Sequence, residues 1–153
     1  MPLSKEKFDA ALDFNELKQK YAAKLELIAS RLGLVQEKEV PTNGGIVDFV
    51  WYCVLKESVP QIGNRLPVVG FEVETSWRTR KHIKGDLFNL LELSPALGVI
   101  LFLHEGFKED EAKLNGNVDA AKRYAAGFSG ISRIVVWTSK DVADICNCAL
   151  FDE

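Results

Sequence analysis

Three carboxylates inside apolar stretches are the residues of this sequence best suited to chemistry. Asp48 lies in the stretch IVDFVW (46–51), and Glu72 and Glu74 lie in VGFEVET (69–75). An ionised carboxylate that leaves water is costly unless it is hydrogen-bonded, paired with a cation or bound to a metal. Each of the three therefore needs a partner, and a functional site would supply one.

The spacing of Glu72 and Glu74 makes them a pair. Side chains two residues apart in a β-strand share a face, so both glutamates would project to the same side, about 7 Å apart. If the strand that contains Asp48 lies beside theirs, the three carboxylates form one cluster. Such a cluster repels itself, and a hard divalent cation is the usual remedy. The structural alternative is that the glutamates form a solvated sheet face and that Asp48 caps a turn.

A basic segment, WRTRKHIK (77–84), follows the two glutamates and carries four formal positive charges in eight residues. It is well placed to hold the phosphates of a nucleic-acid backbone, to which hydroxyl groups also donate hydrogen bonds. The alternative is a solvated helix start, although cations are unfavourable at the positive end of a helix dipole. The candidate phosphate-binding residues are Arg78, Arg80, Lys81, Lys84 and the hydroxyl of Ser76.

Hydrophobic periodicity predicts an α/β chain whose elements bring these segments together. Large apolar residues at spacings of three and four indicate an amphipathic opening helix, and the turn residues PTNGG (41–45) indicate a hairpin between the first two strands. The predicted elements are a helix over 15–32, strands over 34–40, 46–55 and 68–75, a helix over 83–93, a strand over 96–103, a helix over 118–128, a strand over 133–138 and a helix from 139 or 140. The connections include a loop carrying Pro60, Gly63, Asn64 and Pro67 and a charged loop over 105–117.

Length, charge and cysteine content limit the class of protein. A chain of 153 residues is the size of one globular domain, so a single domain over 1–153 is expected. The formal net charge of −3 argues against a histone-like or coating role, because a polyanion would have to bind a local patch. The three cysteines form no Cys-x-x-Cys pair, which argues against a zinc site. With no signal peptide or bilayer-length apolar run, the sequence predicts a cytoplasmic protein without membrane contact.

The motifs and the order of elements resemble one known superfamily. An acid near the start of the second strand (GIVDFVW, 45–51), an acid-x-acid on the third (VGFEVE, 69–74) and a following amphipathic helix resemble the PD-(D/E)xK nucleases. The resemblance covers about the first two-thirds of the chain, to Leu103. It implies a restriction-endonuclease-like core, in which a mixed central sheet is flanked by helices in the order αβββαβ, here followed by a further helix, strand and helix.

The resemblance also implies roles for individual residues. Asp48 and Glu72 would be metal ligands, with the backbone carbonyl of Val73 as a third. Glu74 stands where most members carry a lysine, and it would act as a general base or hold a second metal. Two alternatives stay open: Lys81 or Lys84 of the next helix supplies the missing lysine, or the protein has lost cleavage activity.

Together these observations lead to one expected function and one alternative. The expected function is a Mg²⁺-dependent DNA endonuclease, with Mn²⁺ as a substitute ion, acting in restriction, defence or repair. A homodimer or a partner subunit would supply sequence recognition, because the chain shows no recognisable reading helix. The alternative is a catalytically inactive module of the same fold that binds nucleic acid or a protein partner.

Overall fold

The computed structural model describes residues 5–75, 80–107, 111–128 and 133–148, with the side chains of 5–14 and 80–82 left out. Its elements follow the predicted order of helices and strands, with a short 3-10 helix added after the fourth strand. They are α1 (Lys5–Arg31), β1 (Val35–Pro41), β2 (Ile46–Val59), β3 (Gly63–Glu74), α2 (Arg80–Leu93), β4 (Leu97–Phe102), the 3-10 helix (His104–Phe107), α3 (Glu111–Ala126), β5 (Ile134–Thr138) and α4 (Ser139–Cys146).

The five strands form one mixed sheet in the order β1-β2-β3-β4-β5. Tight turns join the first three strands, which are therefore antiparallel neighbours. A helix separates β3 from β4 and another separates β4 from β5, and both of these pairs are parallel, as helical crossovers allow. The predicted class, a mixed α/β sheet flanked by helices, is confirmed.

Each face of the sheet is covered by a pair of helices. One buried cluster joins α1 and α4 to the sheet, and a second joins α2 and α3 to it. Strand β4 shows how the sequence does this, because its alternate residues Val99 and Leu101 belong to the first cluster while Ile100 and Phe102 belong to the second. The wholly apolar strand predicted at 96–103 is therefore buried on both sides.

The hairpin of β2 and β3 is longer than the sequence predicts. The expected loop through Gly63, Asn64 and Pro67 is wrong, because β2 continues to Val59 and β3 begins at Gly63. Pro67 is tolerated because the register shifts beside its partner, and strand irregularities are where proline fits. Positive φ angles at Gln61 and Gly63 make the tight reversal.

Three helices also begin earlier than predicted, and for α2 the difference is three residues, from 83 to Arg80. Helix α1 starts at Lys5 instead of residue 15, and α3 starts at Glu111 within the stretch expected to be a charged loop. Leu114 is buried four residues before Val118, so the apolar face of α3 extends one turn earlier than the polar sequence around it indicates. Among the helices of the described ranges, none is both long enough and apolar enough to cross a lipid bilayer.

Candidate functional site

The start of β2 and the end of β3 bring Asp48 and Glu72 together. The antiparallel register pairs Phe49 with Phe71. Asp48 precedes Phe49 and Glu72 follows Phe71, so the two acids lie opposite each other on neighbouring strands. The Asp48 carboxylate accepts a hydrogen bond from the Val73 backbone N–H at 2.8 Å through Oδ2. The predicted neighbourhood of the two acids is therefore present, and a backbone hydrogen bond fixes the Asp48 side chain.

Glu72 and Glu74 share the face of β3 that packs against α2. Only 4% of Glu72 and 5% of Glu74 are exposed, so the solvated sheet face considered from the sequence is absent here. The Asn89 side-chain amide of α2 donates a hydrogen bond to Glu72 Oε1 at 3.2 Å. Both glutamates are thus buried, and Glu72 is hydrogen-bonded to a polar residue of α2.

A fourth carboxylate, Asp86, comes from α2 and was not predicted. It lies one turn before Asn89, and its carboxylate interacts with those of Glu74, Glu72 and Asp48. Its Oδ2 atom is buried and has no hydrogen-bond partner among the described residues. A buried polar atom without a partner is costly and calls for an explanation.

The crowding of carboxylates raises two pKa values strongly. Burial, and next the negative charge of Asp48, raise the pKa of Glu72 to about 9. Burial, and next the Glu74 carboxyl group, raise the pKa of Asp86 to about 11. The described surroundings therefore favour the protonated form of both groups, because burial and the neighbouring carboxylates both disfavour the charged form.

The positive charge that the site does contain comes from α1. The Lys18 ammonium group donates to Asp48 Oδ1 at 2.5 Å, and its side chain is 32% exposed. The resemblance places a lysine at position 74, which in this chain is a glutamate. The cation beside the carboxylates is instead Lys18 of α1. This lysine was not among the residues predicted from the sequence.

A polar network holds α1 at this end of the sheet. Tyr21, three residues after Lys18, donates a hydrogen bond from its hydroxyl to Glu105 Oε1 at 2.7 Å. The Ser139 hydroxyl donates to Glu105 Oε2 at 2.9 Å and accepts one from the His104 N–H, also at 2.9 Å. Burial acts to raise the pKa of Glu105, but the bonds from Tyr21 and Ser139 outweigh it and lower that pKa. The network thus ties α1 to α4 and the 3-10 helix.

The turn before β2 is attached to α2. Gly44 N–H donates to Glu92 Oε2 at 2.7 Å, and a Cβ at Gly45 would overlap the Asn89 side chain. A side chain at position 45 would displace the Asn89 amide, which also binds Glu72. The strand that carries Asp48 and the helix that carries Asp86 are positioned by the same contacts.

Together these residues line an open cleft of about 420 Å³. Its lining includes the four carboxylates, Lys18 and Asn89. Carboxylate oxygens are the ligands that Mg²⁺ and Ca²⁺ prefer, so the donor set fits a hard divalent cation. Within the described residues, no three His, Cys, Asp or Glu side chains already stand in ligating geometry. The unpartnered Asp86 oxygen and the raised pKa values indicate that added positive charge would stabilise the cluster.

Lys84, one of the two lysines proposed from the following helix, lies away from the carboxylates. Its side chain is exposed, with the ammonium 5.2 Å from the centre of the Tyr124 ring on α3, and it does not line the cleft. This position is compatible with a cation–π contact or with phosphate binding at the surface. In the described arrangement Lys18, and not Lys84, is the lysine next to Asp48.

The remaining predicted residues lie partly outside the described part of the chain. Ser76 and Arg78 are outside the described residues, and Arg80 and Lys81 are described only by their backbone, in the first turn of α2. Val73 lines the cleft directly. The predicted roles of these residues in binding phosphate or metal stay predictions.

Asp86 and Lys18, which were not predicted, could both have been found as charged residues at apolar positions of a helix. Asp86 lies three residues after Ile83 and four before Leu90, both fully buried, so it is a carboxylate on the apolar face of its helix. Lys18 lies four residues before the buried Ala22, on a stripe that is visible only if small residues are counted as apolar. The same rule that selected Asp48, a charge in an apolar position, would have found both.

Comparisons with known proteins add no relative. No protein-family model, no curated protein and no solved structure matches this chain.

Proposed function

We propose that this protein is a metal-dependent DNA endonuclease with a restriction-endonuclease-like core. The observation that carries the proposal is the buried group of carboxylates, in which Asp48 of β2 faces Glu72 of β3 and Glu74 lies two residues further on. Two supporting observations are the mixed sheet with three antiparallel and two following parallel strands, and α2 packed over the acidic end of β3. Both agree with the resemblance found in the sequence.

The proposed cofactor is Mg²⁺, for which Mn²⁺ would substitute. Asp48, Glu72 and the Val73 carbonyl would hold it, and when bound it would activate water near neutral pH and neutralise phosphate charge. Buried Glu74 is two residues from the proposed ligand Glu72, where a carboxylate can accept a proton from an attacking water. Asn89 orients Glu72 by its hydrogen bond, which is how outer groups tune metal ligands.

We assign to Lys18 the role of the lysine that the resemblance places at position 74. Its ammonium group is in direct contact with Asp48, at the mouth of the same cleft and about one-third exposed. From there it can reach a phosphate oxygen and stabilise the negative charge that develops during hydrolysis. The assignment explains how the site functions with glutamate at position 74.

DNA would be bound by local positive charge, because the chain as a whole is acidic. The basic segment over 77–84 follows β3, whose end carries the two glutamates, so phosphates held there would pass close to the cleft. The proposed residues are Ser76, Arg78, Arg80, Lys81 and Lys84. Sequence recognition would come from a homodimer or a partner subunit, in a restriction, defence or repair setting.

Cleavage of supercoiled plasmid with Mg²⁺ or Mn²⁺ tests the proposal. We expect the wild type to nick the plasmid, and Asp48→Ala and Glu72→Ala each to lower the rate by about a hundredfold or more, because each removes a ligand. Asp119→Ala, which removes an exposed aspartate from α3, is the matched control and should behave as the wild type. Equal nicking by all four proteins would contradict the assigned site.

A catalytically inactive module that binds nucleic acid or protein is the second candidate. Lys18 already neutralises Asp48, and an internal ion pair of this kind would suit a site that no longer holds metal. The two candidates differ in calorimetric titration with Mn²⁺, since an inactive module should show no binding that disappears in Asp48→Ala. Fluorescence anisotropy with labelled duplex DNA would then show whether DNA binding remains.

A further inference from the structure

Asp86 lies on the face of α2 whose apolar residues pack against the sheet. Ile83, three residues earlier, is 2% exposed and Leu90, four residues later, is fully buried. Residues at these spacings share one face of a helix, and this face packs on the sheet. An aspartate here lowers the stability of the helix packing unless something in the cleft compensates for it.

Among the described residues, the surroundings of Asp86 supply no such compensation. Its Oδ2 atom is buried without a hydrogen-bond partner among them. The charged groups of the described residues with which it interacts are the carboxylates of Glu74, Glu72 and Asp48, and all have the same sign. Lys18 is bonded to Asp48, and Lys84 lies over the Tyr124 ring, so neither of these lysines neutralises Asp86.

Asn89, one turn further along α2, provides an informative contrast. It points into the same cleft, but its amide is satisfied by a hydrogen bond to Glu72. An amide suffices for a purely structural contact with a glutamate. At position 86 the chain instead has a carboxyl group next to Glu74, which brings a free oxygen lone pair to the cleft and, once it is deprotonated, a negative charge.

We propose that Asp86 is an additional ligand of the divalent cation, acting together with Glu74 from the α2 side of the cleft. This inference rests on the proposed metal site and extends it. A cation would offset the repulsion among the buried carboxylates and would give the unpartnered Asp86 oxygen its partner. It also gives Glu74 a neighbour with which to share the cation, a second reason for a glutamate at that position.

Calorimetric titration of the full chain with Mn²⁺ at constant pH tests the inference. Asp86→Asn keeps the size of the side chain and a hydrogen-bond donor toward Glu74, but it removes the anionic ligand. We expect it to weaken Mn²⁺ binding by at least about tenfold. Asp119→Asn removes the same charge from an exposed site on α3, and it should bind Mn²⁺ as the wild type does. Asp86→Ala should show the same loss as Asp86→Asn, so the result does not depend on one variant folding.

Two further measurements separate ligation from a structural role. Thermal unfolding without metal should show Asp86→Asn at least as stable as the wild type, because an uncompensated buried acid is gone. Asp86→Glu, which keeps the carboxylate, should recover part of the Mn²⁺ affinity. Wild-type affinity in Asp86→Asn together with lost binding in Asp48→Ala would overturn the role of Asp86 alone. Absence of saturable Mn²⁺ binding by the wild type would overturn both this inference and the proposed function.

Discussion

At the scale of single residues, the site is a balance between several carboxylates and the Lys18 ammonium group. Lys18 contacts Asp48, while Glu74 and Asp86 are in contact with each other in the same cleft. The ion pair is only partly buried, so it is open to competition from an added cation. Removal of Lys18 and removal of Asp86 should therefore have different effects on Mn²⁺ affinity, which should stay the same or rise in the first case and fall in the second.

We expect Lys18→Met to separate metal binding from catalysis. The plasmid nicking rate should fall about ten- to a hundredfold, because the variant lacks a group that stabilises developing negative charge. The Mn²⁺ affinity should stay the same or rise, because Lys18 no longer competes for Asp48 Oδ1. Calorimetry and nicking kinetics on the same preparations provide both quantities.

The matched control for this variant is Lys140→Met on α4, where the lysine side chain is 79% exposed. It should leave both quantities unchanged. Lower Mn²⁺ affinity in Lys18→Met with unchanged nicking would contradict the role assigned to Lys18.

At the scale of elements, the end of β3 is held in place by the 3-10 helix. A Cβ at Gly106 would overlap the carbonyl oxygen of Thr75, the residue that follows Glu74. The overlap is with backbone, so neither partner can rotate away. The close approach of these two segments therefore fixes where the glutamate-bearing strand ends.

Gly106→Ala should destabilise the protein by about 1 to 3 kcal/mol, measured by denaturant unfolding. Gly116→Ala is the matched comparison, because that glycine lies within α3 and a Cβ there meets nothing within 4 Å. Alanine at 116 should stabilise the helix by about 0.5 to 1 kcal/mol. Equal effects of the two substitutions would show that the contact with Thr75 does not constrain the fold.

Some elements could be predicted from the sequence and others could not. Strands around Asp48 and Glu72 were predictable because period-two and continuous apolar patterns are local. The hairpin arms near Val59 and Gly63 were not, since polar and turn residues there are paired in a strand that projects away from the core. The approach of Lys18 to Asp48, 30 residues away, depends on how α1 crosses the sheet, and no local pattern contains that information.

At the scale of the whole molecule, the raised pKa values of the site predict that stability depends on pH. The pKa of Glu72 is raised from 4.5 to about 9, and that of Asp86 from 3.8 to about 11. An acid whose pKa is raised by folding stabilises the folded state at pH values below its unfolded pKa, and this contribution is lost as the pH rises toward the folded value. The protein without metal should therefore become less stable between about pH 5 and about pH 9.

Thermal unfolding in EDTA and in excess Mg²⁺ across this range tests the coupling. The melting temperature in EDTA should fall as the pH rises, and the difference between the two conditions should widen, because a metal ion binds the deprotonated carboxylates. Asp86→Asn should flatten the EDTA curve. A melting temperature in EDTA that rises over the same range would contradict the described electrostatics.

Helices on both faces of the sheet contribute side chains to the cleft, Lys18 from α1 and Asp86 from α2. A chain emerging from the ribosome can form the β2–β3 hairpin before either layer is complete, because hairpin contacts are local. Because Lys18 and Asp86 reach the cleft only through tertiary contacts of the two helix layers, the complete cleft forms only after both layers have joined the hairpin.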